Sequence, residues 1–150
     1  MKIISGGQTG ADRAALDFAI KQNIPHGGWV PKGRKAEDGP LPERYQLTEM
    51  PTASYPKRSE RNVMDADGTL IISHGPLTGG SATTVQMAVK HHKPCLHLDM
   101  ERLTVRETSQ ILLSWINENK IDVLNVAGPR QSKDPRVYGI TFEILEATLT

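Results

Sequence analysis

Short apolar runs alternate along the chain with longer segments whose apolar residues recur at helical spacing. Lys2–Ser5 predicts a first strand, and 11–22 a helix with Ala15, Leu16, Ala19 and Ile20 on one face. His26–Val30 predicts a second, short strand. Pro56–Ala66 predicts a polar helix, with Ser54 placed to cap it and Pro56 tolerated in its first turn. Thr69–Ser73 carries no charge and reads as a central strand. Ser81–His91 follows as a helix turning Val85, Ala88 and Val89 inward, and Cys95–Leu98 as another strand. Thr104 and Glu107 form a capping box opening a helix to about Asn119, with Leu112, Leu113 and Ile116 as its apolar face. Asp122–Val126 is the last strand. Asp134-Pro135 then opens a C-terminal helix carrying Ile144, Leu145 and Leu149. Regular alternation of this kind predicts an α/β fold: a Rossmann-like three-layer sandwich of about five parallel strands with helices on both faces. A flavodoxin-like or Rossmann-like strand order is expected. Residues 1–150 form one domain, and the stretch Gly27–Ser54, with four prolines and four glycines, is either an ordered lid or a disordered loop.

The connections differ by direction. Helix-to-strand links such as His92-Lys93-Pro94 are bland, whereas three strand-to-helix links are rich in Gly, Thr, Ser and Arg. They are Ser5–Arg13, His74–Ser81 and Ala127–Asp134. In a parallel sheet all three lie at the carboxyl edge, where ligands bind. Seven of the 13 glycines fall there: Gly6, Gly7, Gly10, Gly75, Gly79, Gly80 and Gly128. Glycines let backbone N–H groups converge on an anion, and a following helix adds its positive end. Gln8, Thr9, Asp12, Thr78, Ser81, Thr83 and Ser132 add polar contacts, and Arg13, Arg130 and Arg136 add charge. Lys32, Arg34 and Lys35 are either a solvated run or a basic lid. Arg58 and Asn62 share a face of the polar helix and belong to the site, to a subunit contact or to a plain solvent face. No loop matches G-x-G-x-x-G or a Walker A pattern.

Composition narrows the chemistry. Eighteen basic residues against 17 acidic leave a net charge of +1, which argues against a duplex nucleic-acid binder. A single cysteine, Cys95, excludes a disulfide framework and a Cys-rich zinc site, and it is expected to be a buried strand residue. The five histidines show no metal-ligand spacing, so no tightly bound metal is expected. No stretch reaches the ~20 apolar residues of a membrane span, and the opening strand does not read as a signal peptide, so a cytoplasmic protein is expected. Asp12, Asp65, Asp67 and Asp99 are the acid–base candidates, with no pair marked by spacing.

Four segments then become recognisable together. Ile3–Arg13, Gly28–Arg34, Asn62 to Thr69 and Leu77–Ser81, followed by Leu124–Arg130, resemble in order the motifs of the molybdenum carrier (molybdenum cofactor carrier-like) family. The resemblance spans almost the whole chain. It implies a Rossmann-like fold, a homo-oligomer (dimer or tetramer) and binding of the molybdenum cofactor, a phosphorylated pterin. The wider superfamily includes the lonely-guy phosphoribohydrolases, whose site motif is P-G-G-x-G-T-x-x-E. Here Thr78–Gln86 keeps the glycine pair Gly79-Gly80 and Thr83, but Gln86 replaces the catalytic glutamate. The expected protein is therefore a binding or carrier protein for a phosphorylated small ligand. The ligand-binding residues are expected to be Gly6, Gly7, Gln8, Thr9, Gly10, Asp12, Arg13, Lys32, Arg58, Asn62, Thr78, Gly79, Gly80, Ser81, Thr83, Gly128, Arg130 and Ser132. The alternatives are an enzyme hydrolysing nucleoside monophosphates, with Asp12 or Asp99 supplying the missing carboxylate, and a regulatory module with no small-molecule affinity.

Overall fold

A computed structural model describes residues 1–150. Its elements run β1 (Lys2–Ile4), α1 (Ala11–Lys21), β2 (His26–Gly27), β3 (Trp29–Val30), β4 (Thr48–Glu49), α2 (Tyr55–Asp65), β5 (Gly68–Ser73), α3 (Gly79–Lys90), β6 (Cys95–Asp99), α4 (Val105–Glu118), β7 (Val123–Ala127) and α5 (Val137–Leu149). Five strands make one parallel sheet in the order β2-β1-β7-β5-β6. Helices α1 and α4 pack on α5, and α2 packs on α3, giving the expected three layers.

Strand alternation divides the sheet's two faces. Ile3, Leu70, Ile72, Leu124 and Val126 join Phe18, Leu112, Ile144 and Leu145 in the main core. The opposite face is more polar: Asn125 donates from Nδ2 to Thr69 Oγ1 at 3.2 Å, and both are buried. The strand order has a simple meaning. If β7–α5 is counted as the first unit, the order becomes 3-2-1-4-5, the doubly wound order whose switch point lies between strands 1 and 4. Here those strands are β7 and β5, so the crevice opens above them. The last unit of the chain fills the centre of the sheet. The centre therefore belongs to β7, and β5 lies beside it, still buried along its whole length.

Several local expectations change. His26–Val30 splits at Gly28: β2 joins the main sheet, and β3 pairs with β4 in a separate two-stranded ribbon. The stretch 27–54 is an ordered flap, because Val30, Ala36, Leu41 and Tyr45 close with Leu16 of α1 into a second apolar cluster. Helix α3 buries Thr84 and Ala88, spaced by four, which leaves Val89 off the buried stripe and 70% exposed. Leu113 likewise points outward beside the buried Thr108, Leu112 and Ile116. Cys95 lies on the edge strand β6 and is only half-buried. Asp134 does not open α5. Its Oδ1 accepts the Arg136 N–H at 3.0 Å in a turn before the helix.

Candidate functional site at the switch point

The three glycine-rich loops converge. Around a cavity of about 350 Å³, the loop after β1 supplies Gln8 and Asp12, the loop after β5 supplies Ser73, His74 and Thr78, and the loop after β7 supplies Gly128, Arg130, Lys133 and Asp134. Helix α3 adds Gly80, Ser81 and Thr83, and helix α2 adds Tyr55 and Arg58. Thr78 begins α3 in an extended conformation without a side-chain cap, so the first-turn N–H groups face the cavity with no protein acceptor. A Cβ added at Gly79 would lie 3.1 Å from Lys133 Nζ, which brings a cation to that helix end.

Not all glycines serve the cavity. Gly75 and Gly80 face open space, whereas those of the first and last loops meet protein. A Cβ at Gly10, whose φ is +84°, would lie 2.4 Å from the Pro129 carbonyl oxygen, and one at Gly128 would lie 2.5 Å from that of Ile72. These glycines let neighbouring loops approach each other. Gly6 packs against the Arg58 guanidinium and lines, with Asn62, a small recess behind the cavity. Gly7 lies under Leu41 and Val30.

Arg58 crosses from α2 into the first loop, donating from Nη1 to Gly6 O at 2.6 Å and to Asp12 Oδ2 at 3.3 Å. Both side chains are buried. Burial pushes the Asp12 carboxyl up to about 6, against the opposing pull of Arg58 and the Gln8 N–H. Burial also lowers the Arg58 pKa. Across the cavity, His74 Nδ1 and Asp134 Oδ2 are 2.6 Å apart and nearly sealed from solvent. With Nδ1 engaged in this way, Nε2 is the ring nitrogen left for the cavity.

Other expected residues do different work. Arg13 donates to Asp38 and Gly7 O, and Arg136 to Glu101, outside the cavity. Lys32 is exposed on the flap, and Arg34 holds the flap's own carbonyls at Leu41, Pro42 and Tyr45. Thr9 Oγ1 donates to Glu37, whose carboxylate also accepts from Ser132 N at 3.1 Å and Ser132 Oγ at 2.6 Å. Thr9 and Ser132 thus latch the flap to two loops and do not line the cavity. Of the four acid–base candidates only Asp12 lines it, because Asp65 accepts from Trp29, Asp67 from β7 and Asp99 from Gly75 and Glu101. His74, Lys133 and Asp134 escaped the sequence reading, having no motif of their own. His74 directly follows β5, and Lys133 and Asp134 close the loop after β7, so their place in two of the glycine-rich loops was the available signal. No three His, Cys, Asp or Glu side chains come together as a metal site.

Residues 3–149 match the circularly permutated YpsA SLOG family. The chain belongs to this family. The permutated YpsA description agrees with the sheet, in which the last unit of the chain occupies the first place of the doubly wound order. A solved structure described as a "putative molybdenum carrier protein" from Syntrophus aciditrophicus SB is similar over nearly the whole permutated YpsA chain. Identity is 60%, the TM-score 0.99, and the match covers 99% of this chain and 94% of the other. A comparison with curated proteins found no match. No helix is long and apolar enough to cross a membrane.

Proposed function

We propose that this chain is a carrier for a phosphorylated small molecule held at the switch-point cavity. The observation that carries the proposal is the uncapped N-terminus of α3 opening into a cavity that also holds Lys133 and Arg130. An anion there gains unpaired N–H donors, the helix's positive end and two cationic side chains. Thr78, Gly79, Gly80 and Ser81 would receive the phosphate, and Thr83 would join them by turning its hydroxyl away from the Gly79 carbonyl, to which it donates at 3.2 Å. Tyr55, Leu77 and Met87 offer apolar surface to an attached ring. The carrier description of the Syntrophus relative suggests the molybdenum cofactor as the cargo. The residues fit a phosphorylated pterin of that kind: the unpaired N–H groups at the start of α3 would receive its phosphate, and Gln8 and Asp12 line the same cavity with polar groups for its ring. The test is calorimetric titration with inorganic phosphate and with a pterin phosphate. Lys133→Ala should weaken both by about tenfold, one charge-assisted contact being worth roughly 1.5 kcal/mol. Unchanged affinity in that variant counts against the proposal.

A second reading, hydrolysis of a nucleoside monophosphate, is favoured by one observation. The cavity contains the Asp12 carboxyl, pushed up by burial to about 6 and so suited to proton transfer near neutral pH, and it is also lined by the hydrogen-bonded His74 and Asp134 side chains. Release of free base, abolished by Asp12→Asn, would support it. The expected homo-oligomer joins the same proposal: Met64 on α2 and Val89 on α3 are exposed apolar residues. A monomeric mass at micromolar concentration would count against it.

A further inference from the structure

Gln8 is 6% exposed and lines the cavity, and its Nε2 finds no acceptor anywhere in the protein. Its amide orientation is fixed from the other side. Oε1 accepts the Thr9 N–H at 3.0 Å and the Glu37 N–H at 2.8 Å, so a flipped amide would set its NH2 against two donors. Buried donors without acceptors are rare and costly. Asp12 stands next to it: the Gln8 backbone N–H donates to Asp12 Oδ2, which also receives Arg58. No protein donor reaches the other carboxylate oxygen, Oδ1, and Asp12 lines the same cavity. The cavity wall therefore holds an orphaned donor, itself almost wholly buried, beside an unused acceptor.

We infer that Gln8 and Asp12 read the edge of a lactam, a ring carbonyl beside a ring N–H, so that the cargo is a phosphorylated oxo-heterocycle. The carbonyl accepts from Gln8 Nε2 and the ring N–H donates to Asp12 Oδ1. The phosphate lies at α3, so the ligand spans the cavity. An amino-heterocycle at the same place sets its NH2 against Gln8 Nε2 and a lone pair against Asp12. The inference rests on the proposed phosphate site and adds to it the chemistry of the ring.

Three commercial phosphates separate the two. Inosine monophosphate and adenosine monophosphate share the sugar phosphate and purine, and differ only in presenting a lactam or an amino edge. Ribose 5-phosphate has no ring system beyond the sugar. Titration calorimetry at pH 7.5 should find inosine monophosphate bound at least about tenfold tighter than adenosine monophosphate, since the mismatched edge leaves buried polar groups unpaired. Gln8→Glu keeps an oxygen for the Thr9 and Glu37 N–H groups but replaces the free donor with an acceptor. It should lose or invert the preference between the two nucleotides, whatever its added charge does to phosphate affinity as a whole. Equal binding of the two nucleotides overturns the inference, as does a preference that survives Gln8→Glu in a folded protein. If ribose 5-phosphate binds as tightly as inosine monophosphate, the phosphate site stands and the lactam assignment falls. If none of the three binds, the phosphate site falls and takes the lactam assignment with it.

Discussion

Replacing Arg58 with methionine tests whether the Asp12–Arg58 pair controls the first loop. The change keeps the apolar stem but removes the guanidinium that donates to Gly6 O and to Asp12 Oδ2. Breaking a buried pair typically costs 3–5 kcal/mol, because the surviving charge is stranded. Asp12 has an escape, since its pKa is already raised to about 6 and rises further without Arg58. At pH 8 the stranded carboxylate can take a proton at a cost set by two pH units, at about 1.4 kcal/mol each. The electrostatic part of the penalty is therefore capped at about 3 kcal/mol. At pH 5 Asp12 is protonated with or without Arg58, and that part disappears. The sign in the parent protein agrees. The folded chain holds this proton more tightly than the unfolded one, so the group's contribution to stability falls as pH rises from about 4 through 6. The Gly6 carbonyl left unpaired costs roughly 1–3 kcal/mol at either pH. Urea unfolding at pH 8.0 and 5.0 reads both parts. The expected penalty is larger at pH 8.0 by up to about 3 kcal/mol, and in an Asp12→Asn background it becomes independent of pH. An equal penalty at both pH values in the parent background would refute the assignment of the buried titration to Asp12.

Gly10→Ala forces a Cβ to 2.4 Å from the Pro129 carbonyl oxygen at a φ of +84°. It should cost roughly 2–4 kcal/mol by urea unfolding, and a loss under about 1 kcal/mol would mean that the two loops do not meet there. Glu37→Ala removes the latch between the flap and the loops carrying Thr9 and Ser132. Solvent reaches this cluster, so the expected global loss is only about 1 kcal/mol, with faster amide exchange across 31–54. Burial opposes ionisation of Glu37, but the Ser132 and Thr9 hydrogen bonds outweigh it and hold the carboxyl below its ordinary value. The latch's share of stability is thus present above about pH 4.5 and is lost as pH falls through the depressed pKa. Burial pushes the Cys95 thiol up to about 11. Iodoacetamide at pH 8 should therefore react on the order of 100-fold more slowly than with free cysteine, and at the full rate in urea.

Elements whose identity rests on local pattern were legible from the residues. The Thr104–Glu107 capping box forms as spaced, with both reciprocal hydrogen bonds, and Ser54 caps α2 by accepting the Lys57 N–H. Alternation of strand and helix also implied a carboxyl edge carrying the glycine loops, and these do surround one cavity. What local pattern does not contain is which strands become neighbours. The place of β7 between β1 and β5 depends on tertiary pairing across the whole chain, and that pairing determines the site. It sets the loop of Arg130 and Lys133 opposite the loop of His74, and so joins His74 to Asp134 across 60 positions of sequence. The glycines were partly misread for the same reason. A glycine needed for a ligand's approach and one needed for another loop's approach look alike in sequence, and only the packing partner separates them: Pro129 O for Gly10, Ile72 O for Gly128, open space for Gly80. The flap follows the same rule. Its prolines and glycines suggested a lid or a disordered loop with equal force, and Tyr45 and Leu41 decided it by burying against Leu16 of α1. Charge behaved likewise, because Arg13 and Arg34, which look available in sequence, are spent on Asp38 and on flap carbonyls. The cationic character of the cavity is therefore carried by Lys133 and by Arg130, whose Nε also stands 4.0 Å from Glu37 Oε2, at the switch point that the strand order creates.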